Sequence, residues 1–362
     1  MNIRIKDICR FGKKSDIKAG EGNTKGKYMF FTSSADKDKR IDKFDYDEEG
    51  IIMGTGGNAT LHYCSGKFAV STDCLVLLPN LSHKCKYLYY FFLNNMRVLE
   101  AGFRGAGLKH TSKSYIENIE LTKTHGLLEQ DKIISVLSNI DNTIVLQNKR
   151  LKLLNELVRS LFIEMFGDPV ENPFKWDIIQ LHKRCDIVTG NTPVRKKSEY
   201  YGNYIEWVKS DNINKDDMYL TVAEEYLSEK GLSVGRCVEA GSILMTCIAG
   251  SIGCIGNVGV ANRKVAFNQQ INAIVPNRDS SIFIYWLMVL SKKYIQGSVN
   301  ISLKGILSKG KLSELYFPFP PIELQHKFEK NVIVIDKSKL AVKKSLEELE
   351  ILKKSLMQKY FA

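Results

Sequence analysis

Residues 128–166, LEQDKIISVLSNIDNTIVLQNKRLKLLNELVRSLFIEMF, contain neither glycine nor proline. They set Ile133, Leu137, Ile140, Ile144, Gln147, Leu151, Leu154, Val158, Leu161 and Met165 at alternating steps of four and three. That spacing is a heptad seam and predicts a helix. At about 1.5 Å per residue, a helix of about 38 residues is roughly 57 Å long, too long for an ordinary globular core without a partner helix. The end of the chain supplies one. Residues 323–361 align with the first stretch at a constant offset of 195, without a gap. Gln130, Ile140, Asp141, Lys149, Leu154, Leu157, Ser160, Leu161 and Phe166 fall on Gln325, Ile335, Asp336, Lys344, Leu349, Leu352, Ser355, Leu356 and Phe361. The chain is therefore an internal repeat. The second seam, Phe328, Val332, Ile335, Val342, Leu346, Leu349, Leu356 and Tyr360, is interrupted by Lys339 and Lys353.

The segments before each helix repeat as well. GKYMFFTSS (26–34) corresponds to GNYIEWVKSDNI (202–213), EEGIIMG (48–54) to EAGSILM (239–245), and FAVSTDCLVLLPN (68–80) to FNQQINAIVPN (267–277). Each half then carries an aromatic helix, YLYYFFLNNMRVLEAG (87–102) or SIFIYWLMVLSKKYIQG (281–297), ended by glycine. A basic, glycine-punctuated loop follows, FRGAGLKHTSKS (103–114) or SVNISLKGILSKGK (298–311), with Lys304 at the same offset of 195 from Lys109. Pro320-Pro321 opens the second long helix, where the first has Lys123-Thr-His-Gly126. The order is globule, rod, globule, rod: 1–125, 126–167, 168–321 and 322–362. If the second rod packs on the first it must run back. The expected fold is α+β, with two mixed α/β domains separated by an antiparallel coiled coil in a pseudo-two-fold repeat.

Composition excludes several classes. With 44% hydrophobic and 25% charged residues the chain is neither disordered nor fibrous. No apolar run reaches the 18 or so residues of a membrane span, and MNIRIKDICRFGKKSD lacks a signal-peptide core, so a cytoplasmic protein is expected. The eight cysteines form no CxxC pair and read as reduced thiols. His62, Cys64, Cys74, His83 and Cys85 imitate a zinc cluster, but Cys64 and Cys74 fit better as small apolar residues on strands. The net charge of +12 lies mainly outside the first rod, which carries as many acids as bases; the excess suits a polyanionic partner.

Three motifs point to chemistry the chain does not support. Residues 305–311, GILSKGK, match most of a phosphate-binding loop, but Leu312 stands where Ser or Thr would bind magnesium and YFPFPP follows. The glycine runs GTGGN (54–58) and AGSIGCIGNVG (249–259) lack the strand–GxGxxG–helix setting and read as hairpin turns. Asn172-Pro173-Phe174 follows a helix end and reads as a linker. No catalytic, cofactor or metal residues are assigned.

Two basic domains, each with a FAVSTDCLVLLPN- or FNQQINAIVPN-like strand, an aromatic helix, a glycine-bounded basic loop, and then L-L-E-Q or P-P-x-x-x-Q opening a long helix, resemble the specificity subunit of type I restriction–modification systems. TGNTPVRKKSEYYGNYIEWVKSDNI (189–213) resembles the opening of a target-recognition domain in that family. The resemblance covers essentially the whole chain and departs at Lys123–Gly126. It implies a non-enzymatic subunit that recognises double-stranded DNA, each globule reading one half of a bipartite asymmetric site while the rods fix the unread spacer. Its implied partners are modification subunits, two in number, holding S-adenosylmethionine, and motor-nuclease subunits using ATP and magnesium. The candidate DNA-binding residues are Lys13, Lys14, Arg104, Lys109, His110 and Lys113 in the first domain. In the second they are Arg195, Lys196, Lys197, Lys209, Ser210, Asn212, Arg263, Lys264, Lys304 and Lys309. Two other classes stay open: a self-contained methyltransferase or nuclease, against which the missing cofactor motif argues, and a coiled-coil scaffold without a DNA role. A related possibility is the recognition subunit of a fused restriction–methylation enzyme outside type I. A scaffold predicts no salt-dependent DNA binding.

Overall fold

The computed structural model describes residues 3–107, 109–214, 217–299 and 305–362. It divides into two units, Met1–Lys149 with Val342–Ala362, and Arg150–Ala341. Each unit therefore holds one globular domain, part of one long helix and the opposite end of the other.

In the first unit the apolar runs become short strands. β1 (Ile3–Arg4), β2 (Cys9–Phe11), β3 (Tyr28–Phe31), β4 (Arg40–Ile41), β5 (Tyr46–Asp47), β6 (Gly50–Gly54), β7 (Leu61–Cys64), β8 (Lys67–Val70) and β9 (Cys74–Pro79) precede the aromatic helix Cys85–Asn94, and β10 is Glu120–Leu121. They build two four-stranded sheets, β2-β9-β6-β7 and β4-β3-β8-β5, and a closing ladder β1-β10. β3 and β8 run parallel; the other pairs are antiparallel. The second unit repeats this plan strand for strand. β11 (Ile178–Gln180), β12 (Cys185–Thr189), β13 (Tyr201–Val208), β14 (Tyr226–Leu227), β15 (Cys237–Val238), β16 (Ile243–Thr246), β17 (Val258–Val260), β18 (Val265–Phe267), β19 (Ile271–Pro276) and β20 (Tyr316–Pro318) form the orders β12-β19-β16-β17, β14-β13-β18-β15 and β11-β20. The single parallel pair recurs as β13 and β18.

The long helices are Leu127–Phe166 and Ile322–Phe361, 40 residues each. The first ends because Gly167 adopts φ +80° and its amide caps Ile163 O at 2.9 Å. In the first unit Ile133 and Leu137 are buried in one core cluster with Met357 and Phe361, and Asp141 pairs with Lys353 at 2.6 Å. Rising numbers on one helix meet falling numbers on the other, so the two run antiparallel there. In the second unit Phe162 and Phe166 meet Phe328 edge-on, with ring centroids 5.4 and 5.5 Å apart. The two lysines that interrupt the second seam are neutralised in place, Lys353 by Asp141 and Lys339 by Asp336 at 3.5 Å. Burial departs from the heptad expectation at one end. Phe162 and Phe166 are buried, whereas Met165, which the seam selects, is only half-buried. A straight helix drifts against a strict seven-residue repeat, and over the last turn that drift moves the buried face to the phenylalanines.

One buried glutamine fastens each long helix to its globule. Gln130, fully buried, accepts the Lys84 amide at 2.9 Å at the start of the aromatic helix and donates to His125 O at 2.8 Å. Gln325 accepts the Ser280 amide at 3.1 Å and donates to Pro320 O at 2.9 Å and Asp279 Oδ1 at 2.8 Å. These amides and carbonyls at helix ends have no intrahelical partner, so the glutamine satisfies what the backbone cannot. Gln130→Leu and Gln325→Leu each leave a buried donor and acceptor unmet and are expected to cost about 1–3 kcal/mol, read as a lower urea midpoint of the unit concerned. An unchanged midpoint for both would remove the glutamine from the account of how the helices are attached.

Candidate nucleic-acid interface

The basic loop of each domain is tied to the turn that follows its central strand. In the first unit the Thr111 amide donates to Thr55 O at 3.0 Å, the Gly57 amide donates to Lys109 O at 2.9 Å, and Gly56 bridges His110. The GTGGN run thus connects β6 to β7 and also supports the loop bearing Arg104, Lys109 and His110. Arg104 and His110 exchange backbone hydrogen bonds of 2.9 and 3.0 Å, making the loop a narrow hairpin. Two neighbouring grooves share Thr111. One, of about 410 Å³, is lined by Lys13, Lys14, Thr55, Thr72, Thr111 and Lys113. The other, of about 850 Å³, is lined by Arg104, His110, Ser112, Tyr115 and Asn118 among others. The structure therefore brings Lys13, Lys14 and Lys113 into one groove and Arg104 and His110 into the next, with exposed Lys109 on the hairpin beside His110. Lys113 also lies 4.8 Å from the Phe11 ring and 3.6 Å from Glu117. Among the described residues Lys13, Lys14, Arg104 and Lys109 have no acidic partner within ion-pair distance. Thr55 and Thr72, hydroxyls able to donate or accept, were not among the sequence candidates; only the folded loop shows them beside the lysines.

In the second unit the matching backbone bond is Leu307 N to Cys247 O at 2.9 Å, with a bridge between Ile248 and Ile306. This puts the loop in a register of 196, not 195: Thr111 matches Leu307, His110 matches Ile306, and Lys109 matches Gly305. The chain between Phe317 and Pro320 is one residue shorter than its counterpart, and the helices after it return to 195. Lys304 itself lies outside the described residues. Lys309 is exposed and opens a short helix, Lys309–Glu314, capped by Ser308.

The other second-unit candidates sit in a different electrostatic setting. Arg195 Nη1 donates to Glu225 Oε2 at 2.6 Å, and Lys209 pairs with Glu225 Oε1. Arg263 holds Glu206 with two bonds of 2.6 Å, and Lys264 pairs with Glu239 at 2.6 Å. The Arg195 and Lys209 hydrogen bonds hold the Glu225 carboxyl below its usual range; Arg263 does the same to Glu206. Lys196 is exposed, and Lys197 lies over the Tyr200 ring at 5.4 Å. Ser210 Oγ donates to Gln270 Oε1 at 3.4 Å. Asn212 is buried; its Oδ1 accepts the Lys209 amide at 2.9 Å and its Nδ2 donates to Val222 O at 3.1 Å. The first domain thus presents Lys13, Lys14, Arg104 and Lys109 without a carboxylate partner among the described residues, whereas in the second Arg195, Lys209, Arg263 and Lys264 are held by carboxylates.

Among the described residues no three His, Cys, Asp or Glu side chains gather as metal ligands, and no helix is long and apolar enough to cross a membrane. Cys64 lies on β7 and Cys74 on β9, and His62 bonds Ser34 O at 2.8 Å. Burial pushes the Cys9 and Cys247 thiols up to about 12.

The comparisons with known proteins agree with this geometry. The family model of the type I restriction modification DNA specificity domain matches twice, at residues 1–156 and 173–350. The chain is 23% identical to the type I restriction enzyme MjaVIII specificity subunit of Methanocaldococcus jannaschii, over 98% of this chain and 90% of the relative. It is 23% identical to a putative type I specificity subunit of Mycoplasma genitalium, over 96% and 91%. The crystal structure of a type I restriction–modification S subunit from M. genitalium superposes with a TM-score of 0.70 at 18% identity, covering 100% of this chain and 96% of that one. With both globules and most of both long helices inside the matched regions, the chain belongs to the family of type I restriction–modification DNA specificity subunits, and its part in such a complex is DNA recognition.

Proposed function

We propose that each globular unit reads one half of a bipartite DNA site, and that the complex methylates or cuts according to that reading. The observation that carries this is a fold repeated strand for strand whose surface residues differ: Lys13 and Lys14, without a carboxylate partner among the described residues, in one unit, and carboxylate-held cations around Glu225 and Glu206 in the other. A repeated scaffold with unlike side chains suits two unlike sequences. Phosphate contacts would position each unit and base-edge contacts would specify it.

The long helices offer apolar side chains to partners. In the first unit Val145, Leu146, Ile351 and Leu352 are exposed, and in the second Leu153, Leu157, Ile333, Val334 and Leu340. We assign these faces to helices of two modification subunits. S-adenosylmethionine would then be held by those subunits, and ATP with magnesium by the motor-nuclease subunits. The long helices set the unread spacer.

The test is reconstitution with the cognate modification subunit, followed by DNA binding across a salt series. Binding that weakens steeply with salt and a split methylated motif are expected; salt-independent binding or no association would contradict the proposal. Leu146→Glu with Leu352→Glu should abolish co-purification of a modification subunit while helicity is kept. Retained co-purification would take these faces out of the docking.

A further inference from the structure

We infer that Glu225 is a positioning residue that presents the Arg195 guanidinium to a guanine in the half-site of the second unit. The inference rests on the reading that this unit contacts DNA. β13 carries Tyr201 and Trp207, whose rings meet edge-on at 6.0 Å. The Arg195 guanidinium lies over both, 4.9 Å from Tyr201 and 4.7 Å from Trp207, and the Lys209 ammonium lies 5.5 Å from Trp207. Stacking holds the guanidinium plane, and Glu225 holds its edge. The two carboxylate oxygens divide the work, Oε2 on Arg195 and Oε1 on Lys209. The loop bearing Arg195 is anchored independently: the Tyr201 hydroxyl donates to Pro193 O at 2.7 Å and Trp207 Nε1 donates to Asn191 O at 3.3 Å.

The internal repeat supplies a control. The Trp207 amide donates to Glu225 O at 2.9 Å, and in the first unit the Phe30 amide donates to Lys39 O at 2.9 Å. Lys39 therefore occupies the place of Glu225, so the fold closes there without a carboxylate. What Glu225 adds is local to Arg195 and Lys209. A cation that only neutralises phosphate needs no such orientation, and exposed Lys196 and Lys197 serve that purpose. Arg195 carries five N–H donors, and Glu225 is its one hydrogen-bond partner among the described residues. The Arg195 side chain is 53% exposed, leaving donors for the bidentate contact that an arginine makes with guanine O6 and N7.

The experiment uses the chain assembled with its modification subunits, with methylated motifs sequenced and binding measured across salt. Glu225→Gln keeps the Arg195 charge and removes the carboxylate's charge and one of its two acceptor oxygens, so that Arg195 and Lys209 can no longer both be held. Arg195→Lys keeps the charge and removes the fork. Each is expected to lower guanine preference at one position of the second half-site about tenfold, with the first half unchanged. Lys196→Ala with Lys197→Ala should lower the salt slope by about 2 and leave the motif intact. Tryptophan fluorescence of the folded variants checks that Trp207 stays packed. If Glu225→Gln and Arg195→Lys leave every base preference intact while the lysine pair weakens binding, the inference falls and the DNA reading of this unit stands. If none of the three affects binding or motif, that reading falls with it.

Discussion

Phe328→Ala is expected to destabilise the second unit by about 3–5 kcal/mol. Phe328 is fully buried between Phe162 and Phe166, and Phe283 of the aromatic helix stacks on Phe162 at 5.7 Å. Removing its ring opens a cavity where both long helices and the globule meet. All three tryptophans, Trp176, Trp207 and Trp286, belong to this unit, so tryptophan fluorescence in urea follows it selectively. The fluorescence midpoint should fall clearly in Phe328→Ala and stay near the parent value in Ile133→Ala, its counterpart in the first unit. Coincident midpoints for parent and Phe328→Ala would mean that the phenylalanine cluster does not hold the helix to this globule.

The combined substitution Lys13→Ala, Lys14→Ala, Lys109→Ala and Lys113→Ala should nearly abolish DNA binding by the first unit. These ammonium groups border one groove and its hairpin, and three of them have no acidic partner among the described residues. If each neutralises one phosphate, the slope of log K against log salt falls by about 3–4, and affinity at 0.1 M salt drops about a thousandfold. Helicity and melting should be unaffected, because all four side chains are largely solvent-exposed. A variant that folds and binds with the parent slope would move the interface elsewhere on this unit.

The helices were legible because their signal is periodic and uninterrupted: 40 residues without proline or glycine leave few alternatives to a paired rod. The repeat was legible because the helices keep one offset, 195, from Gln130 to Phe166. The loops were harder. Lys109 and Lys304 share that offset as a string, yet backbone hydrogen bonds match Lys109 with Gly305, because one residue is missing between Phe317 and Pro320. A register fixed in a helix does not carry through a turn of different length. Phe328 was on the expected second seam, but its partners Phe162 and Phe166 were not on the first, since a strict heptad selects Met165 and ignores the drift that buries the two phenylalanines. Carboxylates such as Glu225 gave no local signal. Glu225 lies 30 residues from Arg195 in the chain, and only the pairing of β13 with β14 brings the two together.

The most direct measurement is an exchange of one globule. Ile3–Arg4 and Glu120–Leu121 pair in a single ladder, so residues 3–121 form a cassette whose two ends meet in one structure. Replacing it with the equivalent cassette of another specificity subunit leaves both long helices and the second globule untouched. In cells carrying the modification subunits, sequencing of methylated DNA should then show a new first half-site, the same second half-site and the same spacer. A motif unchanged in both halves, or altered in both, would contradict the assignment of one half-site to each unit.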